Sequence, residues 1–339
     1  FTRWITHFCA PTFALLAGAG AFLYGSRGRS RDELAWFLVS RGLWLIVLEL
    51  TWVRWAALFN IDYHFSFVQV IWAIGASMVL LSPCVFLPTG VVAAIGLVIV
   101  CGHNWLAVHP EYQFGPPLLW DVLQVQRPFV IAPGYSVFNV YPLLAWIGVL
   151  FTGYGFGWIL NLDRARRRPI VLALGIIMTL GFIVLRALHL YGDPRPWSPQ
   201  PDPMRNVMAF LACSKYPPSL QFLLMTLGPA LTLLALVDGP GGPPARLWVT
   251  FGRVPLFFYL LHFPLIHGAA LGLAYLRFGS VDWLQAIPGP NAPTPPEGAS
   301  LPLPWVYVAW ILVVLALYWP CRWWGELKRR HPGGVLSYL

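Results

Sequence analysis

RARRRPIVLALGIIMTLGFIVL (Arg164–Leu185) decides the fold of this chain. A cluster of arginines runs into a stretch of apolar and small residues, and the next charge is Arg186. An α-helix needs about 20 mostly apolar residues to cross a hydrocarbon core of roughly 30 Å. The stretch therefore reads as a membrane span. Its basic flank faces the cytoplasm, because cytoplasmic loops are enriched in Lys and Arg.

Outward from this segment, eight more stretches share its character. The nine lie at about 5–24, 34–53, 65–82, 90–108, 137–160, 169–190, 219–237, 250–274 and 305–324. Composition agrees, with 58% hydrophobic and 10% charged residues in 339, against roughly 45–50% and 25% in soluble domains. Such a chain cannot hide its apolar surface in a water-soluble core. The expected fold is all-α, a polytopic membrane helix bundle of nine transmembrane helices forming one integral membrane domain over 1–339, in contact with membrane lipid.

The net charge of +9 (22 basic, 13 acidic) resolves when sorted by side. Arg27, Arg29 and Arg31, then Arg164 and Arg166–Arg168, then Lys328, Arg329 and Arg330 all fall on one face when the nine spans alternate. The C-terminus is then cytoplasmic, and loops at about 54–64, 109–136, 191–218 and 277–304 face outward. These charges are orientation signals and not a nucleic-acid footprint. The same alternation leaves the N-terminus outside and the chain begins at Phe1, so one further upstream helix is expected, ten in the full-length protein. A cleaved leader, with Arg3 ahead of an apolar run, is the rival account.

Cys9, Cys84, Cys101, Cys213 and Cys321 have no CxxC spacing and suggest neither a disulfide framework nor a zinc site. There is no Walker loop, GxGxxG or HExxH, so ATP coupling and metalloprotease chemistry are not expected, and no metal is. Residues 287–304 are Pro-rich and read as an irregular outer loop, and Met204–Leu211 as a short interfacial helix.

Charge within a bilayer is costly, by about 2.5–3.5 kcal/mol or more at mid-depth, which marks such residues as candidates. Arg41 lies about two turns into the second span, and Glu49 follows eight residues later on roughly the same face. Arg186 and His189, followed by Asp193, mark the outer end of the sixth. Arg54 and Arg253 lie near span ends and are expected to snorkel to the headgroups. All the histidines except His331 fall at mid-depth or towards the outside, pointing to an outward-opening polar site. His262 is the deepest, in FGRVPLFFYLLHFPLIH (Phe251–His267), where Pro255 and Pro264 each free a carbonyl that must be satisfied internally.

Four blocks in order carry a resemblance: FTRWITHFCAPTFALLAGAG (Phe1–Gly20), YPLLAWIGVLFTGYGFG (Tyr141–Gly157), CSKYPPSLQFLLMTL (Cys213–Leu227) and Phe251–His267. They resemble a bacterial branch of the heparan-α-glucosaminide N-acetyltransferase catalytic family. The resemblance implies a bacterial inner-membrane acyltransferase that moves an acetyl group from acetyl-CoA, or another acyl-CoA, to a sugar or glycan acceptor. It implies His262, His7 and Arg41 as catalytic candidates, while the family's best-known catalytic histidine lies upstream of Phe1. Asn139 is a candidate oxyanion or CoA donor, and Arg164, Arg166 and Arg167 are candidates for attracting CoA. The alternative is a permease for a small polar or lipid-linked solute, since broken helices with buried charges also suit a substrate path.

Overall fold

The structure is a computed structural model that describes residues 2–239, 245–287, 289 and 292–331. In chain order its long helices are α1 (Thr6–Gly25), α2 (Arg31–Leu58), α3 (Val70–Cys84), α4 (Thr89–Val108), α5 (Leu143–Leu160), α6 (Arg164–Ala187), α7 (Leu220–Val237), α8 (Pro255–Phe278) and α9 (Leu303–Arg330). Among the described residues eight are long and apolar enough to cross a membrane, and α3 is too short. The chain is a mostly helical, polytopic membrane protein. With 15 residues, α3 rises about 22 Å at 1.5 Å per residue, against the 18 residues expected at 65–82. The difference arises because the chain enters α3 through a short strand, β1 (Phe65–Val68), rather than through helix.

Two more strands occupy the loop before α5. β2 (Pro128–Ala132) and β3 (Tyr135–Asn139) pair antiparallel, with Phe129 opposite Val137 and Ala132 opposite Tyr135. Gly134, at φ +79°, makes the turn between them, a conformation that glycine adopts without a Cβ penalty. The expected span at 137–160 therefore starts later, at Leu143, after Pro142. The expected short helix near Met204 is present as Pro203–Leu211, with the Asp202 carboxylate accepting from the Arg205 N–H at 2.7 Å. Of the Pro-rich segment, Pro288, Pro290 and Asn291 lie outside the described residues, and 293–296 is irregular.

The chain divides into two compact units, Phe1–Ile46 with Phe67–Gly239 and Val47–Ser66 with Pro240–Leu339, so that α2 passes from one to the other. In the first unit α5 is the hub, with 12 of its 18 residues buried. Lipid tails are as apolar as leucine, so helices here associate by close packing rather than by escape from water. Glycine makes the approach possible. A Cβ on Gly153 would lie 2.1 Å from the Leu15 carbonyl oxygen, and one on Gly18 1.9 Å from that of Leu150. In the second unit Val254, Leu317 and Cys321 form a small buried cluster, flanked by Phe257 stacked on Trp324 (4.8 Å, 3°). Most of α9 is exposed, with Trp305, Trp310, Trp319 and Trp323 turned outward. On a membrane helix that is a lipid-facing surface.

Gly153→Val should force α1 and α5 apart, at a cost of about 1–3 kcal/mol or more for overpacking. Gly20→Ala meets nothing within 4 Å and should be silent. Thermal stability of the detergent-purified proteins, read by size-exclusion chromatography, checks both. Equal stability of the two variants would contradict the packing described.

Candidate functional site

The second unit holds the histidine favoured by the sequence. α8 begins at Pro255, so His262 lies only about 10 Å along the helix at 1.5 Å per residue. The midpoint of the 24-residue helix belongs to His267. Pro264 has no N–H, which deprives the Leu260 carbonyl of its helical donor. The indole N–H of Trp52 supplies one at 2.8 Å.

His262 is held by its own helix. Nδ1 lies 2.6 Å from the Tyr259 carbonyl oxygen, and the ring stacks on Phe258 (5.5 Å, 4°). A carbonyl only accepts, so Nδ1 carries the proton and, in the neutral ring, Nε2 holds the lone pair. Five residues further, His267 stacks on Phe59 (4.9 Å, 30°), which itself stacks on Trp55. The Nε2 atom of His267 is buried without a hydrogen-bond partner among the described residues.

Arg54 does not snorkel. It is fully buried and donates to the carbonyls of Asn60 (2.8 Å), Phe65 (3.1 Å) and Asp62, and to the Asn60 side chain (2.6 Å). Its guanidinium also lies 4.5 Å from the Tyr63 ring centroid. The loop after α2 is wrapped around this one cation. Carbonyls in that loop would otherwise lack donors, which is why burial wins over the headgroups. Arg253 is exposed, as a headgroup-seeking residue would be. Glu49, at the start of a π-helical turn (Glu49–Val53), is fully buried. In the exposed loop His64 Nδ1 lies 2.5 Å from Asp62, and this hydrogen bond holds the Asp62 carboxyl below its ordinary range.

The other candidates belong to the first unit. His7 packs against Phe222 (5.4 Å), and the Arg41 guanidinium lies 5.7 Å from the Phe37 ring. Asn139, at the end of β3, is buried, and its amide N–H groups donate to the carbonyls of Asp121, Val122 and Val125 at 3.0–3.2 Å. It closes the end of the short helix Pro117–Gln124, and its donors are committed there rather than offered to an oxyanion. Arg167 is likewise committed, making two 2.8 Å bonds to Asp238. Arg166 is exposed and lies 3.5 Å from Asp163. Arg164 with Arg168 lines an open hollow of about 660 Å³ at the same end of α6. Of the three arginines, Arg164 and Arg166 are the ones placed to meet an external anion.

A large buried polar assembly joins residues that the sequence marks only as outer-end positions. It surrounds the segment 213–219. Arg186 is 3% exposed and directs its five N–H groups at the carbonyls of Arg195, Ala209, Phe210 and Ala212 and at Gln221 Oε1, at 2.9–3.3 Å. Asp193 accepts from the Ser214 N–H (2.8 Å), the Ser214 hydroxyl (3.0 Å) and the Ser219 hydroxyl (2.8 Å). His103 Nε2 meets the Pro218 carbonyl at 2.9 Å, and Asn104 accepts from the Leu220 N–H at 2.7 Å. Burial within this assembly pushes the Cys213 thiol up to about 12, which disfavours the nucleophilic thiolate. Asn104, Gln221, Ser214 and Ser219 are not singled out by the sequence. The available signal was the run of serine and proline in CSKYPPS (Cys213–Ser219), directly before a span.

No family model, curated protein or solved structure matches this chain.

The hydrogen bonds from Arg167 hold the Asp238 carboxyl below the ordinary carboxylate range. A depressed folded-state value means that this stabilisation is complete above the unfolded value, about pH 4, and is lost as pH falls through the folded one. Asp238→Asn should therefore be less stable than the natural protein at neutral pH, with the gap closing on acidification. Thermal midpoints of both proteins measured from about pH 7 to about pH 3 check this, and a gap independent of pH would contradict it.

Proposed function

We propose that this chain is a bacterial inner-membrane acyltransferase with a cytoplasmic C-terminus. It would move an acetyl or other short acyl group from acyl-CoA to a hydroxyl or amine of a sugar or related acceptor at the extracytoplasmic side. The observation that carries this reading is the 2.6 Å contact between His262 Nδ1 and the Tyr259 carbonyl, which assigns the ring's basic lone pair to Nε2. An imidazole fixed in that tautomer is a general base. Nε2 takes the proton from the acceptor as its oxygen or nitrogen bonds to the thioester carbon, the C–S bond breaks, and CoA leaves as the thiolate. Such proton transfer contributes about a hundredfold to ten-thousandfold in rate.

The exposed side chains of Arg164 and Arg166 suit a second part of this chemistry, attraction of the CoA phosphates from the cytoplasm. The four sequence blocks that resemble the heparan-α-glucosaminide N-acetyltransferase catalytic family support the same reaction. A permease would need charges set along an aqueous path. Arg54 and Arg186 are instead bonded to carbonyls throughout, which favours the enzyme.

Purified protein in liposomes, supplied with labelled acetyl-CoA and a panel of amino sugars, tests this. His262→Gln should reduce acyl transfer by about a hundredfold or more while acyl-CoA binding persists. Transfer at the natural rate in this variant would remove His262 from the mechanism, and failure of the natural protein to bind acyl-CoA would remove the function.

A further inference from the structure

We propose that the segment Cys213–Ser219 presents Lys215 as a binding site for a phosphate group, at the end of the first unit where α7 begins. The inference does not rest on the acyltransferase reading. Basic residues in this chain are almost all arginine: only Lys215 and Lys328 are lysines, and Lys328 belongs to the basic tail. Lys215 is thus the one lysine within the bundle sequence.

The backbone that carries it is fixed on both sides. Before it, Ser214 is bonded through its N–H and hydroxyl to Asp193, and its oxygen also accepts from Arg195 Nε at 2.9 Å. After it, the Pro218 carbonyl meets His103 and the Ser219 hydroxyl donates to Asp193. The Ser219 N–H returns to the Ser214 carbonyl at 2.9 Å, closing the loop. A lysine needed only for solubility requires no such frame, whereas pre-organisation is what binding requires.

The lysine head itself is uncommitted to any acid. Among the described residues no carboxylate forms an ion pair with Lys215, and Asp193 is turned to the two serines. Its ammonium instead lies 5.1 Å from the ring centroid of Tyr216, and Lys215 is only partly exposed. The Tyr216 hydroxyl lies 3.5 Å from that of Tyr141.

The chemistry of these groups points to phosphate. An ammonium is a compact point charge suited to phosphate oxygens, and the partly exposed Tyr216 carries a hydroxyl on the next residue. The start of α7 supplies no rival site of its own. The Leu220, Gln221 and Phe222 N–H groups already bond Asn104, the Gly192 carbonyl and the Ser219 hydroxyl. The segment lies at one end of α7, about 27 Å along the helix from its Asp238 end. A site at a span end can meet the phosphate of a lipid headgroup or that of a soluble ester.

The two lysines allow a test with an internal control. The full chain is acetylated with an amine-selective reagent, and the rates at Lys215 and Lys328 are read by peptide mass spectrometry. One arm compares glycerol 1-phosphate with glycerol in maltoside micelles. The other compares digalactosyldiacylglycerol vesicles with and without phosphatidylglycerol. Phosphate should slow acetylation of Lys215 about tenfold once it is present at roughly ten times its dissociation constant, with Lys328 unchanged. Protection by the soluble ester assigns a soluble ligand, and protection by the lipid alone assigns a headgroup. No protection in either arm, or equal slowing at both lysines, overturns the proposal.

Discussion

Within a bilayer no water is at hand to satisfy a stranded polar group, so every donor and acceptor must be matched by the protein. That requirement orders much of this structure. Pro264 strands the Leu260 carbonyl, and Trp52, more than two hundred positions earlier, answers it. The loop after α2 gathers carbonyls around Arg54, and the segment after α6 gathers them around Arg186. The helix break at Pro264 is met by a single directional bond, and the two loops are each held by several to one guanidinium.

The same requirement separates structural charge from functional charge. A guanidinium with all its N–H groups engaged by carbonyls has no capacity left for a ligand, which describes Arg186 and nearly describes Arg54. Asn139 and Arg167 are used up in the same way, one on a helix end and the other on Asp238. His262 differs, because its bond to Tyr259 occupies Nδ1 and defines Nε2 as the basic atom. Lys215 differs too, carried on a hydrogen-bonded loop and in no ion pair with a carboxylate among the described residues.

Much of the architecture could be read from residues alone, because a run such as Pro169–Leu185 has few alternatives in water or lipid. The expected stretches correspond in order to the helices, with ends displaced by a few residues. Displacement mattered at α8, where the start at Pro255 rather than near 250 put His267 at the helix midpoint in place of His262. The β2–β3 hairpin was legible in its Pro133–Gly134 turn between aromatic and β-branched residues, but it was masked by the apolar run that continues into α5. The fate of individual charges was not legible. Whether Arg54 reaches for headgroups or for Asn60 and Phe65 depends on a loop path that has no periodicity. The serines around Lys215 become informative only once Asp193 is seen between them.

The unequal lengths of α3 and α9 bear on how the protein meets membranes of different thickness. α3 rises about 22 Å, less than a typical hydrocarbon core of roughly 30 Å. Its buried residues, among them Ile71, Ala73, Ser77, Met78 and Leu81, pack within the protein, so little of the mismatch falls on lipid. α9 has almost no such shelter. Its uncharged part, Leu303–Cys321, rises about 28 Å and matches the core, while the charged turns from Arg322 to Arg330 extend beyond it. A thicker bilayer would draw those charges towards the acyl chains and a thinner one would tilt the helix. Sensitivity to bilayer thickness thus falls on thinly sheltered helices, α9 foremost among them, while the short α3 is largely insulated from it.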